Sequence, residues 1–174
     1  MTGSTGNGRV DADVLRRAYG TFPSGVTAVC ALVDGEPCGL AASSFTSVSL
    51  DPALVSVCVR RESSTWPMLR RADRLGVSIL SAGHQRHARA LAGTAGERFR
   101  DLAWDVADET AVLIGEAAAR MTCTRYAELP GGDHMIVLLR VERVELLDDA
   151  VPLVFHASRF RTLADPAPSL ARPA

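Results

Sequence analysis

Five hydroxyl side chains fall within seven residues at Ser43, Ser44, Thr46, Ser47 and Ser49, directly after an apolar stretch that ends in Ala41-Ala42. Small hydroxyl residues let backbone N–H groups approach a ligand closely. Together they present a neutral polar surface suited to a molecule rich in acceptors. The same stretch could equally satisfy its own backbone through local side-chain bonds. A second cluster, Arg60-Arg61-Glu62-Ser63-Ser64-Thr65, closes an apolar run and opens a helical one. Free N–H groups at a helix start, hydroxyls and a guanidinium make an anion site able to hold a phosphate. An ordinary helix cap beside solvated arginines has the same composition.

A third feature is Gly131-Gly132-Asp133-His134, a turn ahead of the apolar run Met135 to Leu139. His134 there either decorates a hairpin or offers a ring that donates a hydrogen bond or stacks. His84 and His87 stand three apart, but no Glu or Cys lies near them in sequence, so no metal site is expected. No G-x-S-x-G elbow, G-x-G-x-x-G or Walker-type loop occurs. Pairs such as Asp108 and Glu109, or Asp148 and Asp149, read as solvated turns.

Periodicity supplies the frame that must position these groups. Asp11 caps a short helix whose apolar positions Val14, Leu15, Ala18 and Tyr19 form one face to be buried, and Gly20 and Pro23 end it. Val26 to Val33 and Cys38 to Phe45 read as a hairpin around Asp34-Gly35-Glu36-Pro37. After Asp51-Pro52, Ala53 to Arg60 reads as a strand buried on both faces. Ser63 or Ser64 caps a helix through Trp66, Met68 and Leu69, with Pro67 in its first turn. A strand at Leu75 to Leu80 and a helix near Gln85 to Leu91 follow. Further strands are expected around Ala111 to Tyr126, Met135 to Leu147 and Leu153 to Phe155. Many short strands with a few short helices indicate a β-barrel with helical additions.

The chain has 174 residues, 47% of them hydrophobic, enough for one core. We expect one domain over residues 11–164, with flexible tails at residues 1–10 and 165–174. A formal charge of -1 without a basic run gives no footprint for nucleic acid. All 19 basic residues are Arg, so Schiff-base and Lys general-base chemistry are unavailable. Cys30, Cys38, Cys58 and Cys123 are scattered and read as free thiols. No apolar run approaches the roughly 20 residues that span a bilayer, and no secretory signal is read, so a cytoplasmic protein is expected.

Taken in order, these segments resemble the NAD(P)H:flavin oxidoreductases that act as reductase components of two-component flavin monooxygenases. The resemblance runs from about Val14 to Leu163. It rests on Phe22-Pro23-Ser24-Gly25-Val26, Gly39 to Leu50 with Asp51-Pro52, Ser63-Ser64-Thr65, Glu97-Arg98-Phe99, Gly132-Asp133-His134, and Pro152-Leu153-Val154-Phe155. It implies a mainly β FMN-binding split barrel with short helices, generally a homodimer with flavin sites near the subunit interface. The implied flavin contacts are Pro37, Gly39, Leu40, Ala41, Ser43, Ser44, Cys58, Val59, Arg60, Ser64, Thr65, Ala90 and Leu91. His134 and Ser24 are implied on the nicotinamide side. Leu139 departs from the glycine that members often carry after the GDH turn.

The implied activity is reduction of free or loosely bound FMN or FAD by NADH or NADPH, with reduced flavin reaching a partner monooxygenase by diffusion. Such a reaction needs no nucleophile or carboxylate pair, because hydride passes from nicotinamide C4 to flavin N5. Two rivals share the barrel. One is a flavoprotein that keeps FMN and oxidises its own substrate; the other is a non-enzymatic flavin carrier or sensor.

Overall fold

The strand β2 (Thr27–Val33) shows how the core is divided. Alternate residues of a strand face opposite sides, and here both sides are covered. Val29, Ala31 and Val33 join one apolar cluster, while Ala28 and Cys30 join another. The first cluster gathers Val55, Val57, Val59, Val77, Cys123, Val137 and Leu139 inside the curled sheet. The second lies between β2 and the outer elements, with Leu80, Ala88, Leu91, Ile114 and Leu153. In this computed structural model residues 10–93 and 98–163 are described; the expected tails, apart from Val10, lie outside them.

The elements run α1 (Ala12–Gly20), β1 (Ser24–Gly25), β2, β3 (Glu36–Ala42), β4 (Thr46–Leu50), β5 (Ala53–Arg60) and α2 (Trp66–Leu69). Then come β6 (Leu75–Ile79), a 3-10 turn (Ala82–His84), α3 (Gln85–Ala92), β7 (Trp104–Ala107) and β8 (Ala111–Ile114). Last are β9 (Ala119–Gly131), β10 (His134–Leu146), β11 (Val154–His156) and β12 (Arg159–Arg161). The main sheet has the order β4-β5-β10-β9-β6-β2-β8-β7, with β3 also paired to β2. A small sheet joins β1, β11 and β12. The expectation of a mainly β fold with short helices is met.

Turn chemistry sets the registers. Asp34 and Gly35, with φ of 54° and 83°, form the tight turn that pairs Val33 with Glu36. Gly132, at φ 74°, lets β9 reverse so that Gly131 faces His134. Gly76 is required for a different reason. A Cβ there would lie 1.9 Å from the Val112 carbonyl oxygen, so the β6 backbone passes β8 at a distance only glycine allows.

Several expectations need correction. Asp11 does cap α1, its Oδ1 accepting from the N–H groups of Asp13 at 2.7 Å and Val14 at 3.3 Å. The helix, however, buries none of its residues: Leu15 is only half-buried and Tyr19 is 70% exposed. The strand expected from Cys38 to Phe45 begins at Glu36 and stops at Ala42, and β4 is separate. The chain bends at Ser43 to Phe45 so that β4 can pair with β5. β5 is not buried on both sides: Val55, Val57 and Val59 point into the core, while Cys58 and Arg60 are exposed. The run Ala111 to Tyr126 is two strands, interrupted where Glu116 takes a φ of 57°.

Candidate functional site

The exposed face of β5 forms one wall of a cleft of about 720 Å³. Its other walls come from the end of β3 with the bend after it, the approach to α2, the end of α3, and the first residue of β10. Leu40, Ala41, Ser43, Ser44, Cys58, Val59, Arg60, Ser64, Thr65, Leu91 and His134 all line it. These residues are spread over more than half the chain, and the sheet order brings them together. β10 lies beside β5, so His134 falls opposite Arg60 in the ladder. The Arg61 N–H also donates to the Asp133 carbonyl at 3.0 Å, tying the hairpin turn to the end of β5.

The hydroxyl stretch is divided between two tasks. Ser44 Oγ accepts from the Cys58 N–H at 2.8 Å and donates to the Cys58 carbonyl at 3.3 Å, fastening the bend to β5. The Ser43 hydroxyl has no hydrogen-bond partner among the described residues and lies in the cleft lining. Thr46, Ser47 and Ser49 belong to the edge strand β4 and do not line the cleft. The unbroken cradle suggested by the composition is therefore the end of β3 at Ala41 and Ala42 with Ser43 and Ser44 of the bend, followed by a structural strand.

A second hollow of about 690 Å³ adjoins the first and shares Ser64, Thr65 and Arg98 with it. Pro37 and Gly39 line this second space, together with Glu36, Cys38, Met68, Phe99 and Arg100. Arg98 is the group that sequence reasoning left out of the site. Its Nη1 donates to the Gly39 carbonyl at 3.0 Å and to Thr65 Oγ1 at 2.6 Å, and its Nη2 donates to the Gly93 carbonyl at 2.6 Å. Its Nε reaches the same Gly93 carbonyl at 3.2 Å. All these acceptors are neutral, and no carboxylate pairs with Arg98 among the described residues, so its full charge remains at the seam between the hollows. The signal available in sequence was its place in Glu97-Arg98-Phe99; Glu97 lies outside the described residues.

The N-cap of α2 is Thr65, not Ser63 or Ser64 as expected, and its side chain makes no cap bond; Ser63 Oγ, two residues earlier, accepts from the Trp66 N–H at 3.1 Å. Ser64 is thereby left to the cleft. His134 is half-buried, and its Nδ1 lies 2.8 Å from Asp133 Oδ1. That hydrogen bond holds the exposed Asp133 carboxyl below the usual carboxylate range. Ser24 sits on β1 opposite Phe155 and lines neither hollow. Ala90 is half-buried on α3 and lines neither, whereas Ala92 and Gly93 line the 720 Å³ cleft. The arrangement offers hydroxyls, main-chain groups, two guanidiniums and one imidazole around a space sized for a large planar ligand.

His84 and His87, set apart above from any metal role, lie at the start of α3, whose Ala88 and Leu91 join the second core cluster. Their rings are 5.9 Å apart, and His84 Nδ1 lies 2.9 Å from Ser81 Oγ. Burial is the first cause that pushes the His84 pKa down. The four cysteines are free; burial raises the thiols of Cys30 and Cys38 and pushes Cys123 up to about 12. Among the described residues no helix is long and apolar enough to cross a membrane.

Comparison with known proteins agrees with this geometry. The family model described as "Flavin reductase like domain" matches residues 19–164. An NADH-dependent FAD reductase of Streptomyces globisporus is 36% identical over 158 residues, covering 88% of this chain and 86% of the relative. The reductase component of 4-hydroxyphenylacetate 3-monooxygenase from Thermus thermophilus is 35% identical, covering 89% of this chain and 99% of the relative. Among solved structures, an NADH:FAD oxidoreductase of Streptomyces globisporus in complex with NAD and FAD fragments superimposes with a TM-score of 0.82 at 35% identity, covering 94% of this chain and 99% of that one. The split-barrel expectation is met by this likeness over nearly the full length. By domain match, sequence identity and fold together, the chain belongs to the flavin reductase-like family.

Proposed function

We propose that this chain reduces flavin at the expense of a nicotinamide nucleotide and supplies the reduced flavin to a separate monooxygenase. The observation that carries the reading is the convergence of Ser43, Arg60, Ser64, Thr65 and His134 on one cleft of about 720 Å³. The donor set fits a flavin. Ser43 and the main chain at Ala41 and Ala42 would meet the acceptor-rich edge of the ring. Arg60, Ser64 and Thr65 answer a phosphate. His134 stands across the ladder from Arg60 and would position the nicotinamide nucleotide there.

When flavin and nucleotide are bound, they supply the hydride acceptor and donor; the protein's part is alignment and charge. Ser44 holds the bend against β5, Arg98 ties three walls together, and Asp133 orients the His134 ring. NADH is the donor we assign, in keeping with the relatives that are named for it. Passage of reduced flavin to an oxygenase accords with relatives named as reductase components.

Exposed apolar side chains support a homodimer: Tyr19, Phe22, Val144 and Leu146 are 53–75% exposed, and apolar surface of this kind is what subunit interfaces cover. Free thiols accord with a reducing cytoplasm. The test of the activity is NADH oxidation by the purified chain with riboflavin, FMN and FAD added in turn. Rapid oxidation that depends on added flavin is expected. Absence of turnover with both NADH and NADPH would refute the reading. A protein that purifies yellow and turns over without added flavin would favour a resident-FMN oxidase, and colour without turnover would favour a carrier.

A further inference from the structure

We propose that Glu128, on β9, is a positioning residue for the phosphate end of the flavin, acting through Arg70 and the single turn of α2. The inference rests on the flavin reading of the cleft. α2 is four residues long and follows Ser64 and Thr65 directly, so a shift of that turn carries both hydroxyls with it. A helix this short does not hold itself by its own hydrogen bonds. Its first and last residues, Trp66 and Leu69, are buried in the first core cluster, which fixes its depth. Apolar burial is non-directional, and direction comes from polar ties at the two ends. One is the bond from Arg98 to Thr65.

The other is Arg70, the C-cap of α2, whose Nε donates to Glu128 Oε1 at 2.9 Å while its Nη2 donates to Oε2. Two parallel bonds set the plane of the guanidinium as well as its distance. The Glu128 side chain is only 17% exposed, whereas the neighbouring pair of Arg71 with Asp34 is single and more than half exposed on both sides. Exposed pairs of that kind contribute little. The bond from Arg70, with a smaller part from the Trp66 indole, holds the Glu128 carboxyl below the usual carboxylate range. Trp66 Nε1 is itself buried without a partner of good geometry. One carboxylate thus faces both the start and the end of α2. It stands on the same strand as Gly131, which pairs with His134, so the phosphate segment and the nicotinamide side share one frame. Neither Glu128 nor Arg70 lines the cleft, and an effect of either on a ligand must pass through α2.

The sign of the effect separates positioning from charge. Removing a negative group near a phosphate would by Coulomb attraction alone tighten FMN, whereas loss of positioning weakens it. Fluorescence titration of the full chain with FMN and riboflavin, which differ only in the phosphate, reads this directly. Glu128→Ala should weaken FMN about five-fold and leave riboflavin within about two-fold. Glu128→Gln, which keeps an acceptor for Arg70, should recover part of the loss, and it decides the matter if the alanine variant does not fold. Arg71→Met, which removes the neighbouring pair, should leave the ratio of the two affinities unchanged. A lowered melting temperature with an unmoved ratio would make Glu128 merely structural and overturn the proposal. Tighter FMN in Glu128→Ala, or an equal shift of the ratio in Arg71→Met, would overturn it as well. In those cases FMN binding by the parent chain leaves the flavin reading intact. Failure of the parent to bind either flavin would overturn both.

Discussion

Arg98 Nη1 donates to Thr65 Oγ1 at 2.6 Å, joining two residues that no local signal in the sequence links, and the same nitrogen reaches the Gly39 carbonyl at 3.0 Å. One guanidinium thereby ties β3, the approach to α2 and the end of α3 around the proposed flavin site. Arg98→Ala removes those bonds and leaves the carbonyl of the buried Gly39 without this partner, which should cost about 2 kcal/mol of stability. The flavin Kd should rise on the order of ten-fold. Arg98→Lys retains the charge without the planar fork and should fall between the two. Urea unfolding and flavin titration of both variants check this; a lysine variant equal to the parent in both would show that the fork is not needed.

Ser43 and Ser44 are neighbours with different duties, and alanine at each separates them. Ser44→Ala loses both bonds to the Cys58 main chain, so stability should drop by about 1 kcal/mol. Ser43→Ala breaks no internal bond and should leave stability within about 0.5 kcal/mol. Its expected effect is on flavin, where a lost neutral hydrogen bond of about 1 kcal/mol corresponds to a roughly five-fold higher Kd. If Ser43→Ala alters melting and leaves flavin binding untouched, the ring-edge role of that hydroxyl is wrong.

Features encoded by neighbouring residues were legible before the fold was known. The Asp11 cap, the Asp34-Gly35 turn and the GDH hairpin each depend on a few adjacent side chains and φ values, and each stands where the sequence pattern puts it. The cleft lining was legible for a different reason, since family order carried it: spacing alone left the hydroxyl stretch divided between ligand and backbone. In the structure Ser44 is committed to Cys58, while Ser43 lies in the cleft lining with its hydroxyl open.

What escaped depends on distance or on brevity. Arg98 finds its partners 59, 33 and 5 residues away, and no periodicity reports a guanidinium that spans three elements. β1, β7 and β12 are two to four residues long and lie outside the stretches where apolar alternation is strong. The apolar stripe of α1 was read correctly as a stripe, yet none of its residues is buried within the chain. An amphipathic pattern states that a face needs cover without naming what supplies it.

His134 and Asp133 form a pair on the β9–β10 turn, with 2.8 Å between Nδ1 and Oδ1. In the proposed mechanism the imidazole positions the nucleotide and the carboxylate positions the imidazole. His134→Ala should raise the KM for NADH by about ten-fold, the worth of one good contact, with a smaller fall in kcat. Asp133→Asn should produce a weaker version of the same change, because the ring survives with looser orientation. Steady-state kinetics at saturating flavin measure both. Unchanged KM and kcat in His134→Ala would remove this histidine from the reaction.

The pH dependence of folding should be governed in part by His84, the N-cap residue of α3, the helix that brings Leu91 to the cleft. The Ser81 N–H donates to its Nδ1 at 3.2 Å, so the neutral ring carries its proton on Nε2. Burial, followed by the neighbouring His87, pushes its pKa below the usual value near 6.5. A lowered folded pKa means that the unfolded chain binds the proton first as pH falls. The full contribution is therefore present above about 6.5 and is lost progressively as pH drops toward the folded pKa. Melting temperature should fall between about pH 7.5 and 5.5, and flavin affinity should weaken over the same range as the α3 wall loosens. His84→Gln keeps an acceptor near the Ser81 N–H without a titrating ring and should flatten the melting profile. A variant with the parent's pH slope would assign the effect to other groups.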